Sequence, residues 1–170
     1  MLFSRILFSL LIGFSFLLAS NSLKVGDDAP AFKLKDSKGK IHKLSDYKGQ
    51  VVALYFYPKD FTGGCTEEAC NLRDNFSILK EAGVVVLGVS FDDTLSHQKF
   101  SAEYKLPFTL LSDTEKKVAE MYGVKNKNGG INRTTYLIDG DGKILHIFDK
   151  VDTANHSSQI MAILNPKKEK

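Results

Sequence analysis

The chain contains two cysteines, Cys65 and Cys70, and their surroundings favour thiol chemistry. An apolar run over residues 51–57 is followed by a proline, and a Gly-Gly pair then leads into Cys65 and a helix-forming segment. This order predicts a strand, a tight loop and a helix, with the Cys65 sulfur at the helix N-terminus. Unpaired backbone N–H groups and the helix dipole at that end stabilise a thiolate.

The reactivity of a thiol in this position depends on how much of it is ionised. A thiol of ordinary pKa, near 8.5, is only about 3% thiolate at pH 7. Lowering that pKa to about 6 requires roughly 3.4 kcal/mol of differential stabilisation. A helix N-terminus contributes about 0.3–1 kcal/mol, and up to ~2 kcal/mol where it is partly buried. A cation and hydrogen-bond donors elsewhere in the chain must therefore supply the remainder.

The spacing of Cys65 and Cys70 restricts when they can form a disulfide. On a regular α-helix, residues five apart have Cα atoms about 8.7 Å apart. A disulfide rarely tolerates more than about 7 Å. Oxidation to a disulfide therefore requires the first turns of the helix to unwind. This favours a redox-active pair, although two cysteines in an exported chain more commonly form a static structural bridge.

The first 22 residues have the layout of a secretory signal peptide. Arg5 precedes an apolar run over residues 6–19, and small residues then suit cleavage before Leu23. As a helix, the run would be roughly 21 Å long, short of the ~30 Å thickness of membrane hydrocarbon. We therefore predict a cleaved leader and export to a bacterial periplasm, with an uncleaved membrane tether as the alternative. After cleavage no membrane association is expected.

The composition is that of one ordinary globular domain. With 43% hydrophobic and 25% charged residues, the 170-residue chain can form a single core. The net charge of +3 is too small and too evenly spread to indicate nucleic-acid binding. The four histidines lie in different segments, and no cysteine has a partner at zinc-ligand spacing. We therefore predict neither a metal nor a cofactor.

Beyond Leu23, strand-like and helix-like segments alternate. An N-terminal hairpin is predicted at 32–35 and 40–44. Further strands are predicted at 51–57, 84–90, 108–111, 134–138 and 143–148, and helices at about 65–81, 95–104, 115–122 and 154–164. This order predicts an α/β fold with a central mixed sheet and helices on both faces. The arrangement resembles the thioredoxin fold, but the C-x-x-C motif is replaced here by C-x4-C.

The residues around the first cysteine resemble the active site of a known family. Pro58, Thr62 and Cys65 form the pattern P-x3-T-x2-C, which is the active-site signature of peroxiredoxins. Cys70 matches the resolving position of the subfamily called bacterioferritin comigratory protein, or peroxiredoxin Q. The resemblance extends from about Leu23 to the C-terminal helix and implies one thioredoxin-fold domain over residues 23–170.

This resemblance implies a thiol-dependent peroxidase acting on hydrogen peroxide and organic hydroperoxides. The Cys65 thiolate would attack a peroxide oxygen and become a sulfenic acid. Cys70 would then close an intramolecular disulfide, and an external thioredoxin-like dithiol would reduce it. No cysteine follows Cys70, so a resolving thiol near the C-terminus is excluded and a monomer is expected.

The resemblance also assigns roles to four residues around the sulfur. Arg133 and the Thr62 hydroxyl would stabilise the thiolate and orient the peroxide, while Pro58 would shield the sulfur from water. Glu68, one turn along the helix, would hold Arg133 in place.

Two other functions remain compatible with the sequence. An exported thioredoxin-like carrier would exchange disulfides with proteins, but its signature would normally be C-x-x-C. A non-catalytic exported domain would use the cysteines as a structural bridge, and reduction would then destabilise it.

Overall fold

The computed structural model describes residues 22–165, which form a seven-stranded mixed sheet with helices on both faces. The strands are β1 (Lys33–Asp36), β2 (Ile41–Lys43), β3 (Val51–Phe56), β4 (Val84–Ser90), β5 (Thr109–Ser112), β6 (Thr134–Ile138) and β7 (Ile144–Phe148). The helices are α1 (Gly63–Asp74), α2 (Phe76–Glu81), α3 (Thr94–Tyr104), α4 (Lys117–Met121) and α5 (His156–Leu164), and a 3₁₀ turn covers Leu44–Tyr47. The predicted mixed sheet and N-terminal hairpin are confirmed.

The strand order is β2-β1-β5-β4-β3-β6-β7. The central strands β3, β4 and β5 run parallel, whereas the outer pairs are antiparallel. Strand β3 is apolar along its whole length because both of its faces are covered. Its alternate residues Val52, Leu54 and Phe56 face a core that includes α4, and Ala53 and Tyr55 face a second core beneath α1, α2, α3 and α5.

The sheet register brings two distant parts of the chain to the same edge. Phe56, the last residue of β3, pairs with Thr134, the first residue of β6. Because the two strands are antiparallel, Arg133 lies beside the point where the chain leaves β3 for α1. The carboxyl end of β3 therefore carries both the cysteine loop and a cation from a segment 68 residues away.

The predicted helix over residues 65–81 is two helices in the structure. Helix α1 begins at Gly63, so Cys65 is its third residue, and it ends at Asp74. Asn75 then has non-helical dihedrals (φ −108°, ψ 14°), and its side-chain amide donates to the carbonyl of Asn71 at 2.9 Å. Asparagine competes for helical backbone groups in this way, which accounts for the break. Gly83, with φ +76°, follows α2 in the left-handed conformation that ends helices.

The remaining predicted boundaries differ by no more than two residues at either end. Helix α4 starts at Lys117 instead of residue 115 because the Asp113 carboxylate accepts from the backbone N–H groups of Val118 and Ala119. Within residues 22–165, no helix is both long enough and apolar enough to cross a membrane. The predicted signal peptide lies outside the described residues except for Ser22.

Candidate active site

Cys65 lies in the first turn of α1 with only 1% of its surface exposed. It belongs to the apolar core between this helix and the sheet, together with Tyr55 and Ala69. The first intrahelical bond joins the N–H of Thr66 to the carbonyl of Thr62 at 2.9 Å. The N–H groups of residues 63–65 therefore have no partner within the helix and are available to stabilise negative charge.

Arg133 places a cation beside the Cys65 thiol. Its Nη2 donates to the Cys65 Sγ at 3.2 Å, and its Nη1 donates to the Glu68 carboxylate. Glu68 is three residues after Cys65 on α1, so the two side chains lie on the same face of the helix. One guanidinium therefore joins the sulfur to a fully buried carboxylate, which is the arrangement that the family resemblance implies for Arg133 and Glu68.

Burial controls the protonation of the groups behind the arginine. Burial raises the pKa of Glu68 to about 7, although Arg133 opposes the shift. Burial also lowers the pKa of His156 to about 4, so this imidazole is neutral at physiological pH. His156 Nε2 lies 3.8 Å from Glu68 Oε1, beyond hydrogen-bond distance, and 2.9 Å from the Thr135 hydroxyl. Glu68 thus titrates near neutrality despite its ion pair with Arg133.

Pro58 and Thr62 lie in the loop that carries the chain from β3 into α1. Thr62 is the residue before the first helical position, and its hydroxyl donates to the Lys59 carbonyl at 2.9 Å. Both Pro58 and Thr62 are exposed. Arg133 thus contacts the Cys65 sulfur directly and Glu68 is joined to it through Arg133, whereas the Thr62 hydroxyl is turned toward its own loop.

Cys70 lies on the same continuous helix as Cys65 and is partly buried. Both residues are unbridged thiols. The regular helix between them agrees with the predicted separation of about 8.7 Å between their Cα atoms, which is too long for a disulfide. Within residues 22–165, no group of three or more His, Cys, Asp or Glu side chains is placed to hold a metal ion.

Sequence reasoning missed a buried anchor in the active-site loop. The Asp60 carboxylate accepts from the hydroxyls of Tyr57 and Ser96, each at 2.7 Å, and lies 2.9 Å from His97 Nδ1. Burial opposes the charge on Asp60, but the hydrogen bonds from His97, Tyr57 and Ser96 together with the charge on His97 outweigh it, and the pKa of Asp60 is lowered. His97 and Ser96 belong to α3, 36 or more residues away, and no spacing in the sequence indicates this contact.

Residues 25–147 match the family model described as AhpC/TSA family. The chain belongs to this family. It is 49% identical over 150 residues to the putative peroxiredoxin bcp of Coxiella burnetii, a match that covers 84% of this chain and 99% of that protein. It is 47% identical over 148 residues to peroxiredoxin Bcp of Escherichia coli, covering 83% of this chain and 95% of that protein.

The crystal structure of peroxidoxin BcpB from Mycobacterium tuberculosis has the same fold, with a TM-score of 0.80 and 33% identity. The match covers 86% of this chain and 99% of that chain. The predicted thioredoxin-like fold and the predicted peroxiredoxin family are both confirmed. The chain is therefore a peroxidase of the oxidoreductase class, and the disulfide-carrier alternative is not favoured.

The relatives overturn the predicted location. The Coxiella and Escherichia proteins are matched over 99% and 95% of their own lengths, but over only 84% and 83% of this chain. A leader for export is therefore not part of what this chain shares with them, and the prediction of a periplasmic or membrane-tethered protein is wrong. That prediction depended on one basic residue before a short apolar run, which is a pattern of composition and requires no particular spacing or chemistry.

Proposed function

We propose that Cys65 is the peroxidatic residue of a thiol peroxidase that reduces hydrogen peroxide and organic hydroperoxides. The observation that carries this proposal is the contact between the Cys65 sulfur and the Arg133 guanidinium, at 3.2 Å in a buried helix N-terminus. The thiolate attacks one peroxide oxygen, so that an S–O bond forms and the O–O bond breaks. The leaving oxygen takes up a proton and departs as water or an alcohol.

The surrounding groups stabilise the charge that develops on the oxygens. Arg133 and the N–H groups of residues 63–65 are donors directed at the region where the leaving oxygen becomes negative. The Thr62 hydroxyl donates a hydrogen bond to the Lys59 carbonyl, so its oxygen retains lone pairs that can accept a hydrogen bond from the peroxide. Pro58 brings no N–H group and a fixed φ angle to the loop, and it limits the access of water to the sulfur. Glu68 orients the guanidinium through its ion pair.

Cys70 is the proposed resolving residue. After the first turns of α1 unwind, the Cys70 thiol attacks the Cys65 sulfenic sulfur, an S–S bond forms, and the S–O bond breaks with release of water. A dithiol protein of the thioredoxin class then reduces the disulfide through a mixed disulfide and becomes oxidised itself. We propose that one domain, spanning residues 23–170, carries out the whole cycle as a monomer without a metal or cofactor.

The test is peroxide consumption with excess dithiothreitol by the wild type and the two serine variants. Cys65→Ser is expected to abolish consumption. Without dithiothreitol, Cys70→Ser is expected to reduce one equivalent of peroxide and to stop at the Cys65 sulfenic acid, whereas the wild type goes on to close the Cys65–Cys70 disulfide. Undiminished turnover by Cys65→Ser, or failure of peroxide to oxidise Cys65 in Cys70→Ser, would contradict the proposed roles.

A further inference from the structure

The side chain of Asn71 joins α1 to the segment that leads into α5. Its Oδ1 accepts from the backbone N–H of Ser157 at 2.8 Å, and its Nδ2 donates to the carbonyl of Ala154 at 2.6 Å. Both partners are backbone groups of residues 153–157, which we call the latch segment. One side chain therefore makes two hydrogen bonds to a segment more than 80 residues away.

Two other residues of α1 meet the same latch segment. The Thr153 hydroxyl donates to the carboxylate of Glu67. The buried His156 ring packs beside Glu68, with 3.8 Å between Nε2 and Oε1. Glu67 and Glu68 are four and three residues before Asn71, so all three side chains are neighbours on one side of the helix. Contact with the latch segment is thus concentrated on one short stretch of α1.

This stretch is the part of the helix that a disulfide would disrupt. Glu67 and Glu68 lie between Cys65 and Cys70, and Asn71 follows Cys70 directly. The two sulfurs cannot meet while the helix between them is regular, because about 8.7 Å separates their Cα atoms. Unwinding of these turns must therefore strain or break the contacts with the latch segment.

We propose that Asn71 is a positioning residue that sets the balance between the helical form, which reacts with peroxide, and the unwound form, which closes the disulfide. This inference rests on the proposed function of Cys65 and Cys70. Holding α1 against the latch segment keeps Cys65 beside Arg133 for the first step. The same contacts slow the second step, because they must be released before Cys70 reaches the Cys65 sulfur.

The delay has a chemical consequence for Cys65. Its sulfenic acid has two competing fates. Attack by Cys70 forms the disulfide and releases water, whereas reaction with a second peroxide transfers an oxygen, forms the sulfinic acid, and releases water or an alcohol. Tighter attachment of α1 lengthens the life of the sulfenic acid and increases the sulfinic fraction. Asn71 would therefore determine how much peroxide the enzyme tolerates before it is inactivated.

The test separates the two steps in the variant Asn71→Ala. Reduced protein is mixed with one equivalent of hydrogen peroxide; loss of the Cys65 thiol and appearance of the disulfide are followed separately by rapid quench and mass spectrometry. We expect oxidation of Cys65 to change by less than about 2-fold, because the helical form remains the major form when these two hydrogen bonds are lost. Loss of two hydrogen bonds is expected to accelerate disulfide formation roughly 5- to 30-fold. With excess peroxide, the sulfinic fraction should fall.

Asn75→Ala is the matched control. It removes the same side chain just beyond the same helix, but the Asn75 amide bonds the Asn71 carbonyl and not the latch segment. A second variant, Thr153→Val, removes the hydrogen bond to Glu67 by changing the residue in the latch segment. It is expected to accelerate disulfide formation about 2- to 10-fold, and it keeps the test valid if Asn71→Ala does not fold.

The outcomes distinguish this inference from the function on which it rests. If wild-type Cys65 is not oxidised by peroxide, the proposed function fails. If the wild type completes its catalytic cycle but Asn71→Ala forms its disulfide no faster than the wild type, the proposed role of Asn71 is wrong. An equal acceleration by Asn75→Ala would also overturn it, because the effect would then be a general weakening of the helix.

Discussion

The Arg133 guanidinium donates to two partners at once, the Cys65 sulfur and the Glu68 carboxylate. Its planar shape allows this, since separate nitrogens point at each partner. A lysine ammonium is a compact charge on a flexible stem and cannot reproduce both contacts with fixed geometry. The reactivity of Cys65 should therefore depend on the shape of the cation as well as on its charge.

The variant Arg133→Lys tests this dependence. We expect the rate of Cys65 oxidation by peroxide to fall about 100-fold, the effect typical of losing one donor to a developing oxyanion. Arg73→Lys is the matched control, because Arg73 lies on the same helix as Cys65 but donates to the Tyr104 carbonyl and to Asp74. Single-turnover kinetics with substoichiometric peroxide measure the rate of Cys65 oxidation in both variants. Equal losses in the two variants would contradict a specific role for Arg133.

Glu68 gives the protein a pH-dependent stability. Burial raises its pKa from the ordinary 4.5 to about 7, so the folded state retains the proton to higher pH than the unfolded chain does. The resulting stabilisation is complete below pH 4.5 and is lost as the pH rises through 7. The shift corresponds to roughly 3 kcal/mol.

Glu68→Gln should remove this titration. As the pH rises from 4.5 to 8, we expect the difference in unfolding free energy between variant and wild type to shift in favour of the variant by up to roughly 3 kcal/mol. The reason is that only the wild type must ionise a buried carboxyl. Urea unfolding at several pH values measures the difference. Glu67→Gln, at the exposed neighbouring position, should show no comparable change. A pH-independent difference between Glu68→Gln and the wild type would contradict the assignment.

At the scale of elements, Asp60 fastens the loop between β3 and α1 to helix α3. Its carboxylate receives hydrogen bonds from Tyr57, Ser96 and His97, and its N–H donates to Asp92 at 2.9 Å. The next residue, Phe61, has φ +61°, a conformation that costs a non-glycine residue about 1–2 kcal/mol. The anchor compensates for this local strain and fixes where α1 begins, and with it the position of Cys65.

Asp60→Ala is expected to lower the free energy of unfolding by about 3–5 kcal/mol, because it leaves the buried His97 and Tyr57 and the half-buried Ser96 without their shared acceptor. Asp93→Ala is a suitable control, since Asp93 caps α3 from an exposed position by accepting from the Ser96 N–H. Loss of such a cap costs about 1 kcal/mol. Urea denaturation compares the two. If Asp60→Ala lowered the free energy of unfolding no more than Asp93→Ala does, the hydrogen bonds of Asp60 would not anchor the loop.

The molecule as a whole shows which features local sequence patterns can predict. The Cys65 helix and strand β4 follow from runs of neighbouring residues, and both were predicted from the sequence. Arg133 was predicted only through the family resemblance, because its contact with Cys65 spans 68 residues and depends on the pairing of β3 with β6. The contact between Asp60 and His97 was not predicted, since it depends on how α3 packs.

The two redox states should differ in overall stability. In the reduced state α1 is continuous, and its residues Cys65, Glu68 and Ala69 are buried. A disulfide to Cys70 would constrain only a short loop, and the chain-entropy gain from so short a loop is roughly 2 kcal/mol. The unwound turns would lose the burial of these side chains and the ion pair with Arg133. The loss should exceed the gain.

We therefore expect oxidation to reduce helix content and to lower the melting temperature. Far-UV circular dichroism and thermal unfolding of the reduced and the peroxide-oxidised protein measure both quantities, and Cys70→Ser treated identically reports any effect of oxidation that does not involve the disulfide. A static structural bridge predicts the opposite order, with the oxidised protein the more stable form. The sign of this single difference separates a redox-active pair, whose resting state is the intact helix, from a pair that holds the fold together.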